Sequence, residues 1–257
     1  MIKHYSDTLI HKLKGFVPVK VGEHEIKGDP DHLFFWQIMN EGGYEPGFFK
    51  MLDKYLTPES VYCDLGAWIG PTAIYASKLC KKVIAFEPDP KAWRYLHKNI
   101  HRNKLKNITT HQMAIGKYDG RVKMASHGKR LGDSMTSMIN VSRYKKYFKA
   151  KVLTWNSYLS KFNPGKIDFI KMDIEGGEVI IVPTMRDYLK QHKPILHLSV
   201  HPTYLDKETR IERIKKLFKS LNFYSEVLDE NMNPINPRDY IRDLHKNLEF
   251  TAFLFIP

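Results

Sequence analysis

The chain has 257 residues, 42% of them hydrophobic, which is enough apolar material for one large α/β domain with a packed core. It contains no run of about 18 apolar residues, which excludes a membrane-spanning helix. The polar start of the chain and its two cysteines, which lack metal-ligand spacing, predict a cytoplasmic protein. The net charge of +13 predicts an anionic partner.

The first half of the chain contains an N-terminal cover and three predicted strands. Residues 1–58 are rich in glycine and proline without a clear hydrophobic period, so we expect a cover or lid with short helices. Residues 59–257 are expected to form the ligand-binding domain. Apolar runs bounded by turn signals predict strands over residues 60–65, 83–86 and 107–115, and helices follow the first two strands.

The second half continues the alternation after one interruption. A segment over about 117–150 breaks the pattern, which is where α/β enzymes add their acceptor pockets. Further strands are predicted over residues 121–125, 150–153, 167–173, 194–200, 223–228 and 250–256, and helices over 155–162, 178–189 and 206–221. The connection between the last two strands is too short for a typical helical crossover, which favours an antiparallel pair.

These elements predict an α/β fold with a mostly parallel, seven-stranded sheet and one antiparallel strand near the C-terminus. This is the Rossmann-like arrangement of the class I methyltransferases. No linker or internal repeat divides the chain, so a single domain with the substrate insertion is expected.

The turn after the first strand of the domain carries the strongest chemical signal. Asp64 ends the strand, Gly66 and Gly70 frame the turn, and Glu87 closes the next strand. Dinucleotide folds place a glycine where this chain has Trp68, and a carboxylate at Asp64 would repel a pyrophosphate. The same carboxylate favours a ligand with an ammonium group and no phosphate, such as S-adenosylmethionine. An ordinary strand-to-helix turn explains the glycines but not the acid at each strand end.

Three side chains at other strand ends are candidates for catalysis. In open α/β sheets, ligands bind beyond the carboxyl ends of the strands, so Asp173, Glu175 and His201 should lie together. His201 is the natural base near neutral pH. Alternatively, Asp173, Glu175 and His201 could hold a divalent cation that lowers a hydroxyl pKa. The structural alternatives are a histidine that orders the next loop and acids that stabilise a helix N-terminus.

The segment over about 117–150 mixes basic and aromatic residues. Arg143 and Lys146 belong to this cluster, together with Lys129 and Tyr147. Such a surface attracts a nucleotide-linked sugar, a lipid-linked glycan, a phosphorylated carbohydrate or nucleic acid. A solvated basic face is the structural alternative.

Four runs of the sequence resemble the FkbM family of S-adenosylmethionine-dependent methyltransferases. They cover residues 64–70, 85–88, 132–137 and 170–178, and the most specific is the Lys-x-Asp-x-Glu-Gly-x-Glu pattern that begins at Lys171. Members of this family typically methylate hydroxyls on sugars, polyketides and cell-surface glycans. The resemblance therefore implies O-methyl transfer, with a carbohydrate or glycan as the acceptor.

The resemblance also implies roles for individual residues. For the cofactor, it assigns the methionine end to Asp64, Gly66, Ala67 and Gly70, the ribose to Glu87, and the adenine to Met113 and Ala114. The residues that face the reacting groups are Asp173, Glu175 and His201. The residues expected to bind the acceptor are Ser134, Ser137, Arg143 and Lys146. Two positions depart from the family pattern. Trp68 stands where many members have asparagine, and Ser199 stands where an acid often precedes the histidine, so metal dependence stays open.

Three functions are compatible with these observations. Sugar or glycan O-methylation is the first. Methylation of RNA or a cap is the second, suggested by the net charge, although the chain has no base-stacking signature. A non-catalytic relative that binds an anionic glycan or nucleic acid is the third, and the intact Asp64 and Glu87 argue against it. The exact acceptor, the hydroxyl position and the oligomeric state do not follow from the sequence.

Overall fold

The computed structural model describes residues 10–128, 130–244, 246 and 248–257. The strands are β1 Val17–Val21, β2 His24–Gly28, β3 Val61–Leu65, β4 Lys82–Phe86, β5 Ile108–His111, β6 Ala114–Ile115, β7 Gly120–Ser126, β8 Thr136–Ser137, β9 Phe148–Leu153, β10 Phe169–Met172, β11 Ile195–Val200, β12 Glu226–Leu228 and β13 Thr251–Ile256. The helices with both ends described are α1 Leu33–Asn40, α2 Pro46–Tyr55, α3 Pro71–Ala76, α4 Pro90–Arg102, α5 Trp155–Phe162, α6 Glu178–His192, α7 Arg210–Lys219 and α8 Pro237–Asp243.

The central sheet has seven strands in the order β12-β13-β11-β10-β3-β4-β5. The strands from β11 to β5 pair in parallel, whereas β13 is antiparallel to both β11 and β12. This confirms the predicted fold class, including the antiparallel strand near the C-terminus. The connection between β12 and β13 nevertheless contains the short helix α8, which was not predicted. Asn236 caps α8 by accepting the N–H of Arg238, and Pro237 occupies the first turn.

The prediction of one strand over residues 107–115 is wrong. The chain forms β5 and β6, which belong to different sheets, and the N–H of Met113 donates to the carbonyl of His111 between them (2.9 Å). This turn sends the chain from the central sheet into a four-stranded sheet of order β6-β9-β7-β8. The predicted insertion therefore builds a small second sheet. Lys129 lies outside the described residues.

The N-terminal cover contains a β-hairpin that the sequence analysis missed. Strands β1 and β2 pair antiparallel and precede α1 and α2. The first nine residues lie outside the described part of the chain. Trp36 and Phe48 of the cover are buried in one hydrophobic cluster with Tyr62, Tyr75 and Phe169 of the domain. The cover is thus packed onto the sheet, and its role as a lid stays a prediction.

Helices cover both faces of the central sheet. On one face, α5, α6 and α7 bury Trp155, Val182 and Leu217. On the other face, α2, α3 and α4 bury residues such as Ile74 and Leu96. No helix in the described ranges combines the length and the apolar character that crossing a membrane would need.

Candidate functional site

A cavity lies beyond the carboxyl ends of β3, β4 and β10, where ligands bind in open α/β sheets. It encloses about 590 Å³, its open mouth included. Its polar wall is formed by Glu87, Asp133, Ser134, Thr136, Asp173 and Glu175. Its apolar wall includes Phe86, Met113, Ala114, Ile115, Met124 and Met138. An apolar cavity with a few convergent polar groups is typical of a small-molecule site.

The glycine turn forms the floor of this cavity. Gly66 has φ +95°, and a Cβ added there would lie 2.0 Å from the carbonyl oxygen of Asp173. Gly70 has φ +96°, and its added Cβ would lie 2.6 Å from Leu96. Only glycine fits both the left-handed backbone and the close approach. Gly66 lines the cavity, whereas Ala67 and Gly70 are buried behind the turn.

Glu87 anchors the turn from the neighbouring strand. Its carboxylate accepts the N–H of Trp68 at Oε2 (2.8 Å) and the N–H of Asp89 at Oε1 (2.7 Å). Burial raises the pKa of Glu87 to about 8, although the N–H of Asp89 lowers it. Each oxygen retains a further lone pair. Glu87 lines the cavity and can therefore accept hydrogen bonds from a ligand hydroxyl.

Trp68 joins the turn to the insertion. It has φ +49°, a conformation that is costly for a bulky residue, and the N–H bond to Glu87 holds it there. Its indole Nε1 donates to the carbonyl of Gly132 at 3.0 Å. The N–H of Gly132 in turn donates to Asp89 at 2.8 Å. The tryptophan that departs from the family pattern thus fixes one wall of the cavity.

Asp64 is fully buried beneath the turn and does not itself line the cavity. Its Oδ2 accepts the hydroxyl of Thr72 at 2.6 Å. Its Oδ1 has no partner with hydrogen-bond geometry among the described residues, although the nearby hydroxyl of Tyr62 lowers its pKa. Burial dominates and raises the pKa of Asp64. A buried carboxylate oxygen with only this poorly aligned hydroxyl beside it is costly, so Oδ1 could accept a better-placed donor.

The structure brings the three predicted catalytic residues together. Nε2 of His201 lies 3.5 Å from Oδ1 of Asp173 and 3.7 Å from Oε2 of Glu175. The other ring nitrogen, Nδ1, lies 3.3 Å from Oε1 of Glu178. Glu178 is fully buried and also accepts the N–H of Ile174 (2.9 Å). Glu178 belongs to the Lys-x-Asp-x-Glu-Gly-x-Glu run, but the sequence analysis assigned it no role.

The three carboxylates control the protonation of His201. Burial alone would lower its pKa, but Glu178, Asp173 and Glu175 raise it to about 10. His201 is therefore an imidazolium at neutral pH, and this argues against the predicted role of His201 as the base. Burial raises the pKa of Glu175 to about 7, against the opposing effect of His201. Glu175 thus has the pKa that suits a general base at neutral pH.

Asp173 is the ionised member of the cluster. Burial would raise its pKa, but Lys171 and then His201 lower it to about 2. Nζ of Lys171 donates to Oδ2 of Asp173 at 2.8 Å, and the lysine is only 2% exposed. Asp173 and Glu175 thus differ in pKa because only Asp173 is paired with Lys171. Such a difference separates a structural carboxyl group from a reactive one.

The backbone at Glu175 is held in an unusual conformation. Glu175 has φ +54°, and Gly176 after it has φ +89°. The hydroxyl of Ser137 donates to the carbonyl oxygen of Glu175 at 2.6 Å. Ser137, which was predicted to contact the acceptor, is fully buried and does not line the cavity. Through its hydrogen bond it holds the backbone of Glu175 in place.

The other predicted acceptor residues lie in different places. Ser134 lines the cavity and is exposed. Arg143 forms an ion pair with Asp206 (2.8 Å), and Lys146 is exposed. Neither basic residue lines the cavity, so their contact with an acceptor stays a prediction.

Three side chains of the cluster have the donor atoms that bind a divalent cation. Ligand atoms of Asp173, Glu178 and His201 lie within 4.8 Å of one another, so Glu178 replaces the predicted Glu175 in the cluster. A metal needs a neutral imidazole with one free nitrogen. Nδ1 of His201 is hydrogen-bonded to Glu178 (3.3 Å), whereas Nε2 lies 3.5 Å from Asp173 and 3.7 Å from Glu175, an arrangement that both an imidazolium and a metal-bound imidazole adopt. A metal bound by these residues therefore stays a prediction.

The protonation of His201 can be measured by nuclear magnetic resonance. We expect a doubly protonated ring at pH 8, because the raised pKa keeps the charge until the pH approaches about 10. His197 is an internal control, because burial and then Lys171 lower its pKa to about 3 and it should be neutral at the same pH. Long-range ¹H–¹⁵N spectra, assigned with His201→Gln, report both states. A neutral His201 at pH 8 would contradict the role of the carboxylates.

The chain is similar to known methyltransferases in sequence and in fold. Residues 64–226 match the family model described as the methyltransferase FkbM domain. Similar solved structures include methyltransferase FkbM from Methylobacillus flagellatus KT, with 17% identity, 87% of this chain and 54% of that chain covered, and a TM-score of 0.49. An rRNA methylase from Streptococcus thermophilus has 12% identity and a TM-score of 0.46, and the match covers 81% of this chain and 93% of that chain.

A third similar structure is the Pyrococcus abyssi tRNA (uracil-54, C5)-methyltransferase in complex with S-adenosyl-L-homocysteine. It has 11% identity, coverage of 94% of this chain and 44% of that chain, and a TM-score of 0.47. The chain spans about half the length of the Methylobacillus protein, because 54% of that protein is covered.

Proposed function

The chain belongs to the FkbM methyltransferase family, and we propose that it is an S-adenosylmethionine-dependent O-methyltransferase acting on a hydroxyl of a sugar or glycan. The observation that carries the proposal is the position of Glu175. This carboxyl group has a pKa of about 7 because of burial and lies in the wall of the cavity that Gly66 and Glu87 also line. A base next to a cofactor-type turn is what methylation of a hydroxyl requires.

The residues around the cavity fit S-adenosylmethionine. Glu87 would bind the ribose hydroxyls, and the apolar wall with Met113 and Ala114 would hold the adenine. The free oxygen of Asp64 would accept a hydrogen bond from the amino-acid end. When bound, this cofactor supplies a methyl group that is already activated by a sulfonium. The protein then has to align the acceptor and remove one proton.

Glu175 is the residue that we propose removes the proton from the acceptor hydroxyl. His201, as an imidazolium, lies between Glu175 and Asp173 and holds both carboxylates toward the ring nitrogen. Tyr204 donates a hydrogen bond to Glu175, which lowers the pKa of the carboxyl group and orients it. Lys171 keeps Asp173 ionised, so Glu175 rather than Asp173 is the acid that takes up the proton.

The polar wall of the cavity supports a hydroxyl-rich acceptor. Ser134 and Thr136 offer hydroxyls, and Asp133 offers a carboxylate that can accept from a sugar. The exposed Lys146 and the exposed ring of Tyr147 belong to the same insertion as Ser134 and Thr136 and add charge and aromatic surface to it. We therefore propose that the acceptor is an anionic carbohydrate or glycan.

Mass spectrometry of candidate acceptors tests this function. The protein is incubated with S-adenosylmethionine and, separately, with nucleotide sugars, lipid-linked glycans and RNA. The proposal expects a gain of one methyl group on a carbohydrate oxygen that is absent with Glu175→Gln. Methylation of RNA alone, or of a carbon or nitrogen atom, would replace the proposal with another methyltransferase activity.

Glu87→Ala is expected to weaken S-adenosylmethionine binding by about 1.5–3 kcal/mol above about pH 8, where Glu87 is ionised and a carboxylate that accepts hydrogen bonds is lost. Isothermal titration calorimetry measures the change. Glu59→Ala is the matched control, because the Glu59 side chain is 85% exposed. Wild-type affinity in Glu87→Ala, or tight binding of NAD by the parent protein, would show that the cavity serves a different ligand.

A further inference from the structure

Glu45 lies outside the family-matched region but reaches the same site. It precedes α2, and its backbone is left-handed with φ 41° and ψ 47°. Its side chain makes no capping bond to α2. Its Oε2 instead lies 3.8 Å from Nζ of Lys171. A left-handed conformation is costly for a non-glycine residue, so an inward-facing side chain at such a place indicates a function.

The surroundings of Glu45 carry an excess of negative charge. Lys171 is a buried cation, and it faces Glu45, Asp64 and Asp173. Strand pairing places Lys171 opposite Asp64, and Nζ donates to Asp173 at 2.8 Å. Burial raises the pKa of Glu45 to about 7 in spite of Lys171. The second cation, the imidazolium of His201 beside Asp173, is shared with Glu175 and Glu178, so the acids still outnumber the cations and this place favours a further cation.

Two carboxylate oxygens in this cluster have no hydrogen-bond partner. Oδ1 of Asp64 and Oε2 of Glu45 are both buried and accept no hydrogen bond of good geometry within the described chain, although Oε2 lies 3.8 Å from Nζ of Lys171. Asp64 itself is 0% exposed. Unpaired buried oxygens are costly, and a donor with several N–H groups and a positive charge would satisfy both. A primary ammonium group has this chemistry.

We propose that Glu45, together with Asp64, binds the ammonium group of S-adenosylmethionine, so that the N-terminal cover completes the cofactor site. This inference rests on the proposed function, because it requires that cofactor in the cavity. Asp173 connects the two places: it lines the cavity and bonds Lys171, the lysine that faces Glu45. The cover is then a part of the binding site as well as of the hydrophobic core.

A comparison of two ligands tests the proposal. S-adenosylhomocysteine carries the amino-acid end, whereas 5′-methylthioadenosine has the same adenosine and thioether without it. Glu45→Gln is expected to weaken S-adenosylhomocysteine binding by about tenfold or more, because a charge-assisted bond is lost. Its affinity for 5′-methylthioadenosine should stay within about twofold. Calorimetry with the full chain measures both, and Glu41→Gln, at an exposed acid nearby, is the control.

The outcomes separate this proposal from the proposed function. If wild type prefers S-adenosylhomocysteine and Glu45→Gln changes neither affinity, or weakens both equally, Glu45 does not bind the ammonium group and the proposal is overturned. If wild type binds neither ligand, the proposed function fails and this inference fails with it. Glu45→Asp keeps the charge and should retain most of the preference, which guards against reduced stability of the glutamine variant.

Discussion

Glu175→Gln is expected to lower turnover by about 10²–10⁴-fold, because glutamine cannot accept the hydroxyl proton. Glutamine has the same shape and retains a carbonyl oxygen for the bond from Tyr204, so the fold and the cofactor affinity should change little. Methyl transfer under saturating cofactor measures turnover, and calorimetry measures cofactor affinity. Glu41→Gln provides a control for removing a glutamate at an exposed position.

The pH profile identifies the base independently of the variant. A base must be deprotonated, so the wild-type rate should rise with pH through about 7, the pKa that burial gives Glu175. If His201 were the base, the rise would lie near its pKa of about 10. In Glu175→Gln, the rise of the rate with pH near pH 7 should be absent. Wild-type turnover in Glu175→Gln would show that alignment alone drives the reaction.

Gly66→Ala is expected to lower the free energy of unfolding by about 2–5 kcal/mol. About 1–2 kcal/mol comes from placing a Cβ on a residue with positive φ, and about 1–3 kcal/mol comes from the collision with the carbonyl of Asp173, 2.0 Å away. The turn must move to relieve this contact, so cofactor binding should be lost as well. Urea unfolding and calorimetry measure the two effects.

Gly165→Ala separates the two causes. Gly165 has φ +80°, and an added Cβ would meet nothing within 4 Å, so only the conformational cost of about 1–2 kcal/mol applies. Cofactor affinity should stay at the wild-type value. If both variants lose the same stability, the close approach of Gly66 to Asp173 does not matter and the turn has more room than its geometry indicates.

Backbone strain occurs at and beside the cavity. Of the eight non-glycine residues with positive φ in the described chain, Trp68 and Glu175 line the cavity and Glu45 lies beside Lys171. Other such residues, for example Asn163 and Lys193, terminate helices, where a left-handed residue is common. The three at the site are held by their side-chain or main-chain contacts, and such strain is typical of functional sites.

Local sequence patterns determined the fold class and the position of the turn. The period of apolar residues predicted the mostly parallel sheet, and the spacing of Asp64, Gly66, Gly70 and Glu87 predicted the ligand-binding turn. Because the carboxyl ends of parallel strands share one edge of the sheet, the positions of Asp173, Glu175 and His201 in the sequence predicted that they lie close together. These features depend on a few consecutive residues or on topology, so the sequence contains them.

The tertiary structure decided the features that depend on distances between separate elements. The pattern over residues 107–115 continues without interruption, and only pairing in two sheets divides it into β5 and β6. Glu45 had no sequence signal, because it meets Lys171 only after the cover packs on the sheet.

The change of the proposed base from His201 to Glu175 has the same origin. The pKa of His201 depends on carboxylates from the turn after β10 and from α6, and burial sets that of Glu175. Charges act through space over a few ångströms, and no reading along the chain provides those distances.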